Sequence, residues 1–307
     1  ANLKLLSGPG CPVCVTDQGY IDTVIDLARR SDCLIATYGD MIRVPGRNTS
    51  LERLSLPNVR VVLSSDDAVA LAQKHPEKTV VFIAVGFETT TPATAVAIRQ
   101  AQELGLKNFT VLCGHKRVLP AMHALLSGRN DKIDAFLCPG HVSVILGSSA
   151  YDGVVKQFHR PCVVAGFEAE QILLGLAKIC RQIADKKAAV DSVYTLAVRP
   201  EGNPVAVRMI DQVFVPCDGP WRGLGCIPAG ALRIRDEYAD FDAQKRFGIQ
   251  QIPTEEPGGC QCGKVLCGLI EPSQCGLFGI KCTPDHPVGP CMVSTEGACA
   301  AWYKYQR

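Results

Sequence analysis

Residues 80–105 read VVFIAVGFETTTPATAVAIRQAQELG. The stretch opens with an apolar run, turns at Gly86, and continues as an alanine-rich segment. An unbroken apolar run suits a strand buried on both faces of a parallel sheet, whereas a half-exposed strand would alternate. Pro92 fits the first turn of a helix, where its missing N–H costs nothing, and Gly105 fits a helix end. Strand, turn and helix in this order form the repeating unit of a parallel α/β fold.

The unit recurs on both sides. CLIATYGD (33–40), FTVLCGH (109–115), DAFLCPGH (134–141) and PCVVAGFE (161–168) are short apolar runs that end in turn residues. Helical spacing lies between them. YIDTVIDLARR (20–30) places Ile21, Val24, Ile25 and Ala28 on one face, with Thr16 or Asp17 as N-cap. EQILLGLAKICRQIAD (170–185) is a second such helix. Two turns repeat: Gly86-Phe87-Glu88 returns as Gly166-Phe167-Glu168, and Cys113-Gly114-His115 resembles Cys138-Pro139-Gly140-His141. The fold expected is therefore α/β, with two similar parallel-sheet lobes around a cleft and a small cysteine-rich domain behind them. The boundaries expected are 1–78, 79–200 and 201–307. Residues 200–235 read as strands with Gly/Pro-rich turns, and RIRDEYADFDAQKRF (233–247) reads as a helix. From Pro253 onward Gly, Pro and Cys dominate, and so few periodic apolar residues call for a metal rather than a core of their own.

Composition narrows the function. With 32 basic and 30 acidic residues the net charge is +2, which gives no electrostatic reason to expect nucleic acid or an anionic membrane as partner. No apolar run reaches the ~18–20 residues of a membrane span. Nothing has the pattern of a signal peptide. Sixteen cysteines in a chain that is 47% hydrophobic point to a reducing cytosol, where thiols serve as metal ligands or redox groups. The chain opens in a strand-like segment, LKLL, and an N-terminal part is expected to be missing.

The tail holds Cys260, Cys262, Cys267, Cys275, Cys282, Cys291 and Cys299. These spacings include neither a zinc-ribbon knuckle nor the C-x2-C-x2-C run of ferredoxins. Four thiolates could still converge on an iron–sulfur cluster. Structural zinc, disulfides and free thiols remain open alternatives. The lone CxxC, Cys11 and Cys14 in SGPGCPVCVTD (7–17), can be half a zinc site, a thiol–disulfide couple or a packed pair. Its place before the helix that starts near Asp17 favours the couple, because backbone N–H groups and the helix dipole there stabilise a thiolate.

Glu88 follows a strand. It reads either as a cap for the next helix or as a group lining the cleft at the carboxyl end of the sheet. Cys138 and His141 follow another strand, where a histidine is often only a structural hydrogen-bonding group. Glu168 and His115 repeat these contexts, and Thr89 and Thr90 are supporting groups. Neither GxxxxGK[ST] nor GxGxxG occurs, and no hydrolase elbow is present.

GPGCPVCVT (8–16), VGFETTTPATA (85–95), CPGHVS (138–143), RIRDEYADFDA (233–243), CQCGKVLCGLIEP (260–272), LFGIKCTP (277–284) and GPCMVSTEGACAAWYKY (289–305) together resemble the HypD family. These hydrogenase formation proteins help to build the iron centre of [NiFe]-hydrogenases. The resemblance runs through almost the whole chain. It implies a [4Fe–4S] cluster, and the contexts CxCG, xCxLFG, CTP and EGAC match the pattern at Cys262, Cys275, Cys282 and Cys299. Cys260, Cys267 and Cys291 are then bystanders. It also implies a redox-active Cys11–Cys14 pair and functional roles for Cys138 and His141. The implied setting is a cytoplasmic scaffold, rather than a turnover enzyme, on which a transient Fe(CN)2CO iron is assembled. A HypC-type small chaperone contributes a cysteine to the iron, and a HypE-type partner donates cyanide as a thiocyanate. The family's N-terminal part, with a Cys-Gly-Thr-His motif, has no counterpart in this sequence. The competing expectation is a cluster-linked protein disulfide oxidoreductase, and a weaker one is a zinc-stabilised binding protein.

Overall fold

The computed structural model describes residues 3–128, 132–250 and 258–305. The first sheet is parallel throughout. It comprises β1 (Cys33–Thr37), β2 (Val59–Val61), β3 (Thr79–Ala84) and β4 (Phe109–Cys113), in the order β2-β1-β3-β4. Successive residues of these strands feed two different cores. Leu34, Ala36, Val80, Phe82 and Val111 pack against Ala68, Ala95 and Ile98 of the helices Ser65–Lys74 and Thr91–Glu103. Cys33, Ile35, Val81, Ile83 and Leu112 pack against Ile21, Val24 and Ile25 of the helix Gln18–Ala28. A sheet covered on both faces has no solvated side, which is why its strands read as continuous apolar runs. Asp17 caps the first of these helices, accepting Tyr20 N–H at 3.0 Å. Gly105, with φ 66°, lets the chain leave the helix Thr91–Glu103.

The second sheet is also parallel, with β5 (Phe136–Pro139), β6 (Cys162–Ala165) and β7 (Val190–Ser192) in sequence order. An antiparallel hairpin follows, β8 (Phe214–Trp221) and β9 (Gly225–Ile234). The tail consists of short pieces: the helix Cys262–Leu266, single turns at Pro272–Gln274 and Pro290–Met292, and the helix Ala298–Tyr305. The composition change placed at Pro253 lies outside the described residues.

Four expectations are corrected. The boundary at 78/79 cuts through the first sheet, because β3 and β4 pair with β1 rather than with the second sheet. Residues 204–213 form a helix, started by Pro204 and capped by Asn203, whose side chain accepts Val205 and Ala206 N–H at 3.1 Å. Residues 233–247 are not one helix. Arg233 and Ile234 end β9, a 3-10 turn covers Asp236–Phe241, and Asp242 starts a new helix by capping Gln244 N–H. An Asp that bonds its own forward backbone competes with a continuous helix at that point. The segment LKLL forms no strand, and Leu5 is 64% exposed. Its apolar side chains border a cavity instead of entering a ladder.

Candidate functional site

The CxxC folds into a single short helix, Pro12–Val15, with Cys11 as its N-cap. Pro12 suits this start, where its fixed φ is helical and no donor is lost. Cys14 N–H donates to Cys11 Sγ at 3.3 Å, and the Cys14 thiol donates to it as well. These bonds from Cys14 outweigh burial and hold the Cys11 thiol below its ordinary pKa, with help from Ser294 and against Glu296. Cys14 responds in the opposite sense: donating to Cys11 pushes its own pKa well above the ordinary value. The pair is thus asymmetric, with Cys11 the more acidic thiol.

Cys14 faces the tail. Its Sγ lies 3.9 Å from the carbonyl oxygen of Pro290, and it shares a hydrogen bond with the thiol of Cys291. Cys291 also hydrogen-bonds the thiols of Cys262 and Cys299. Cys260 Sγ lies 3.2 Å from Cys262 Sγ. All of these cysteines share one buried cluster with Phe87, Trp221 and Met292. Gly289 leaves room for them, since a Cβ there would lie 2.6 Å from the sulfurs of both Cys260 and Cys262. Two of the cysteines chosen from the family contexts, Cys262 and Cys299, are in this set. Cys282 belongs to the same buried cluster and accepts Val288 N–H at 3.4 Å. Cys275 is half-buried and shares no thiol hydrogen bond among the described residues. The sequence reading set Cys291 aside as a bystander; the fold buries it in the same cluster as the CxxC. The signal for it was present: Gly289-Pro290 precedes Cys291 as Gly8-Pro9 precedes the CxxC. The donors are all sulfur, which suits iron–sulfur chemistry. Among the described residues no group of three or more His, Cys, Asp or Glu is disposed to hold a metal ion.

Glu88 is a cap, but not for the helix that follows it. Its carboxylate accepts Val118 N–H at 3.0 and 3.3 Å, at the start of the helix Val118–Ser127. Burial raises its pKa from the ordinary 4.5 to about 7. Thr91 Oγ1 donates to Phe87 O at 2.9 Å, while Thr89 and Thr90 lie 3.5 Å apart through their hydroxyls. His115 is buried between Thr94 Oγ1 at 2.9 Å and Gly86 O at 3.4 Å, and burial lowers its pKa to about 4, so it is neutral.

Cys138 is buried, and its thiol donates to Phe136 O at 3.9 Å. The Tyr151 hydroxyl pairs with Ser143 Oγ at 2.9 Å, and burial pushes its pKa up. His141 is exposed, its ring 4.5 Å from that of Phe167. Glu168 precedes the helix Ala169–Ala184 without a side-chain capping bond. No hydrogen bond among the described residues joins any two of Glu88, Cys138 and His141. Cys138 instead lines an apolar cavity of about 470 Å3, together with Leu5, Phe87, Met122, Trp221 and Leu266.

Known proteins agree with the motif pattern. The family model HypD, described as hydrogenase formation hypA family, matches residues 1–306. The hydrogenase expression/formation protein HupD of Azotobacter chroococcum is 46% identical over 316 residues, covering 100% of this chain and 83% of that protein. Hydrogenase maturation factor HypD of Azotobacter vinelandii gives the same identity and coverage. The HypD of Cupriavidus necator is 40% identical over 316 residues, again with 100% and 83% covered. No helix among the described residues is long and apolar enough to cross a membrane.

Proposed function

The chain belongs to the HypD family and is a hydrogenase maturation factor, and we propose that it works there as a redox-active scaffold for the Fe(CN)2CO group. The observation that carries this reading is the single buried cluster in which Cys11 and Cys14 pack with Cys262, Cys282, Cys291 and Cys299. Releasing cyanide from a partner's thiocyanate is a two-electron reduction, and a dithiol has two electrons to give. The Cys11 thiolate starts the exchange, and Cys14 completes a disulfide with it. A thiocyanate R–S–CN and the two thiols then become R–SH, HCN and the Cys11–Cys14 disulfide, with atoms and electrons balanced. A [4Fe–4S] cluster held by Cys262, Cys275, Cys282 and Cys299 would supply single electrons to restore the dithiol. Gly289 and the all-sulfur donor set support such a group at Cys262 and its neighbours.

The iron is cargo in this proposal. The two parallel sheets act as lobes around the cavity lined by Phe87 and Cys138, and Cys138 faces the iron there. Glu88, which titrates near neutrality, is the proposed acid–base neighbour. His141, exposed beside Phe167, is a contact for a loop of the HypC-type chaperone. The HypC-type chaperone brings a further cysteine to the iron, and a HypE-type protein delivers the cyanide, all in the cytoplasm.

Anaerobic purification followed by iron and sulfide analysis tests the cluster. About four irons and four sulfides per chain are expected, falling sharply in Cys262→Ala and Cys299→Ala. Stoichiometric zinc without sulfide rejects the proposal.

A further inference from the structure

The helix that carries the CxxC has four residues. Isolated helices shorter than ~12–15 residues are marginal in water, so this one is held from outside. Its last carbonyls are met by one residue of the hairpin turn. The backbone N–H of Arg222 donates to Val15 O at 3.0 Å. The Nε of Arg222 donates to Thr16 O at 3.0 Å, and its Nη2 to Gln18 Oε1 at 3.4 Å. Lys116 extends the clamp by one residue, donating to Pro220 O at 2.8 Å with Asp17 Oδ2 at 3.9 Å.

Arg222 is an expensive choice for this place. It is 4% exposed, and its bonded guanidinium donors go to a carbonyl and an amide oxygen rather than to a carboxylate. A buried cation with neutral partners costs stability that an apolar residue would not. The surrounding contacts fix it all the same. Trp221 stacks on Phe87 with ring centroids 5.8 Å apart and donates its Nε1–H to Gly230 O at 2.8 Å. Next to it, Gly223 has φ 79° and packs so closely that a Cβ would lie 2.1 Å from Gly263 Cα. The turn that presents Arg222 is thereby locked onto the same tail segment that supplies Cys262.

We propose that Arg222 is a positioning residue for the CxxC thiols: its fork caps the exit of the four-residue helix and keeps Cys14 N–H aimed at Cys11 Sγ. Val15 N–H donates to Cys11 O and Thr16 N–H to Val13 O, both at 3.3 Å, so the turn that aims Cys14 N–H ends at the carbonyls Arg222 holds. The inference rests on the reading of Cys11 and Cys14 as a redox pair. The groups that act on Cys11 are Cys14, Ser294 and Glu296, and Arg222 works through the backbone rather than as a charge beside it.

The test is the pH profile of Cys11 alkylation by iodoacetamide, resolved by mass spectrometry on the full chain under anaerobic conditions. In Arg222→Gln the rate at neutral pH falls roughly tenfold and the midpoint rises by about one unit. Arg222→Lys, which can still reach one carbonyl, recovers part of the loss. Circular dichroism establishes that each variant is folded; if Arg222→Gln is not, the comparison rests on Arg222→Lys, which must show an intermediate midpoint. A folded variant with the unaltered profile overturns the proposal, and Arg222 then only fills space. A parent chain whose Cys11 titrates as an ordinary thiol rejects the redox reading itself, a result distinct from failure of the Arg222 link.

Discussion

Glu88 and Cys291 show how single residues depart from their sequence context. A carboxylate after a strand suggested a cap for the next helix, yet the next helix in space is the one that begins at Val118. Burial then moves its pKa from 4.5 to about 7. Below 4.5 the group is protonated whether the chain is folded or not. Between 4.5 and 7 the folded chain keeps a proton that the unfolded chain releases, so stability falls as pH rises through this window and the loss is complete above it. A shift of this size corresponds to about 3 kcal/mol. Glu88→Gln keeps an acceptor for Val118 N–H but cannot ionise. Its melting temperature relative to the parent should therefore climb between about pH 5 and pH 7.5. Parallel melting curves across that range would show that Glu88 is not held protonated by burial. Cys291 departs in the other direction: it was set aside as a bystander, yet it is buried in the same cluster as the CxxC.

At the level of elements, most of the two parallel sheets was legible. β1, β3, β4, β5 and β6 read as near-continuous apolar runs, interrupted among their buried residues by Thr37 and Thr110, as strands covered on both faces do. β2 and β7 were not legible, because three-residue edge strands with half-exposed residues carry no periodic signal. The helix at Pro204 was hidden by the Gly/Pro-rich sequence around it, although Asn203-Pro204 is a proper start. The candidate site was legible as residue types and not as partners. The CxxC, the tail thiols and the Gly-Pro turns could be read, but Arg222 and Trp221 lie in a hairpin whose approach to the CxxC only the tertiary fold determines. The same tightness makes Gly289 a sensitive position. In Gly289→Ala the new methyl must displace the sulfurs of Cys260 and Cys262, which it would otherwise approach to 2.6 Å. The variant should retain far less iron and sulfide than the parent after anaerobic desalting. Full retention would mean that Cys262 is not at the cluster.

On the scale of the whole molecule, three of the buried clusters belong to the sheets and their covering helices, and the fourth holds the CxxC and tail cysteines of the proposed site. That fourth cluster is assembled from distant parts of the chain: Cys11 and Cys14, Phe87, Val142, Trp221, and the tail cysteines. A tail without a core of its own borrows one from the CxxC and the hairpin, so the proposed redox chemistry and folding share the same contacts. On the proposed reading, assembly of an iron–cyanide–carbonyl group depends on Cys14, whose Sγ lies 3.9 Å from Pro290 O in the tail. The most direct measurement is the infrared spectrum of the chain co-purified anaerobically with a HypC-type chaperone, compared between the parent and Cys14→Ser. The parent should show cyanide and carbonyl stretches, and Cys14→Ser should lose them while its iron and sulfide content stays the same. Full bands in Cys14→Ser, or none in the parent complex, would contradict the account.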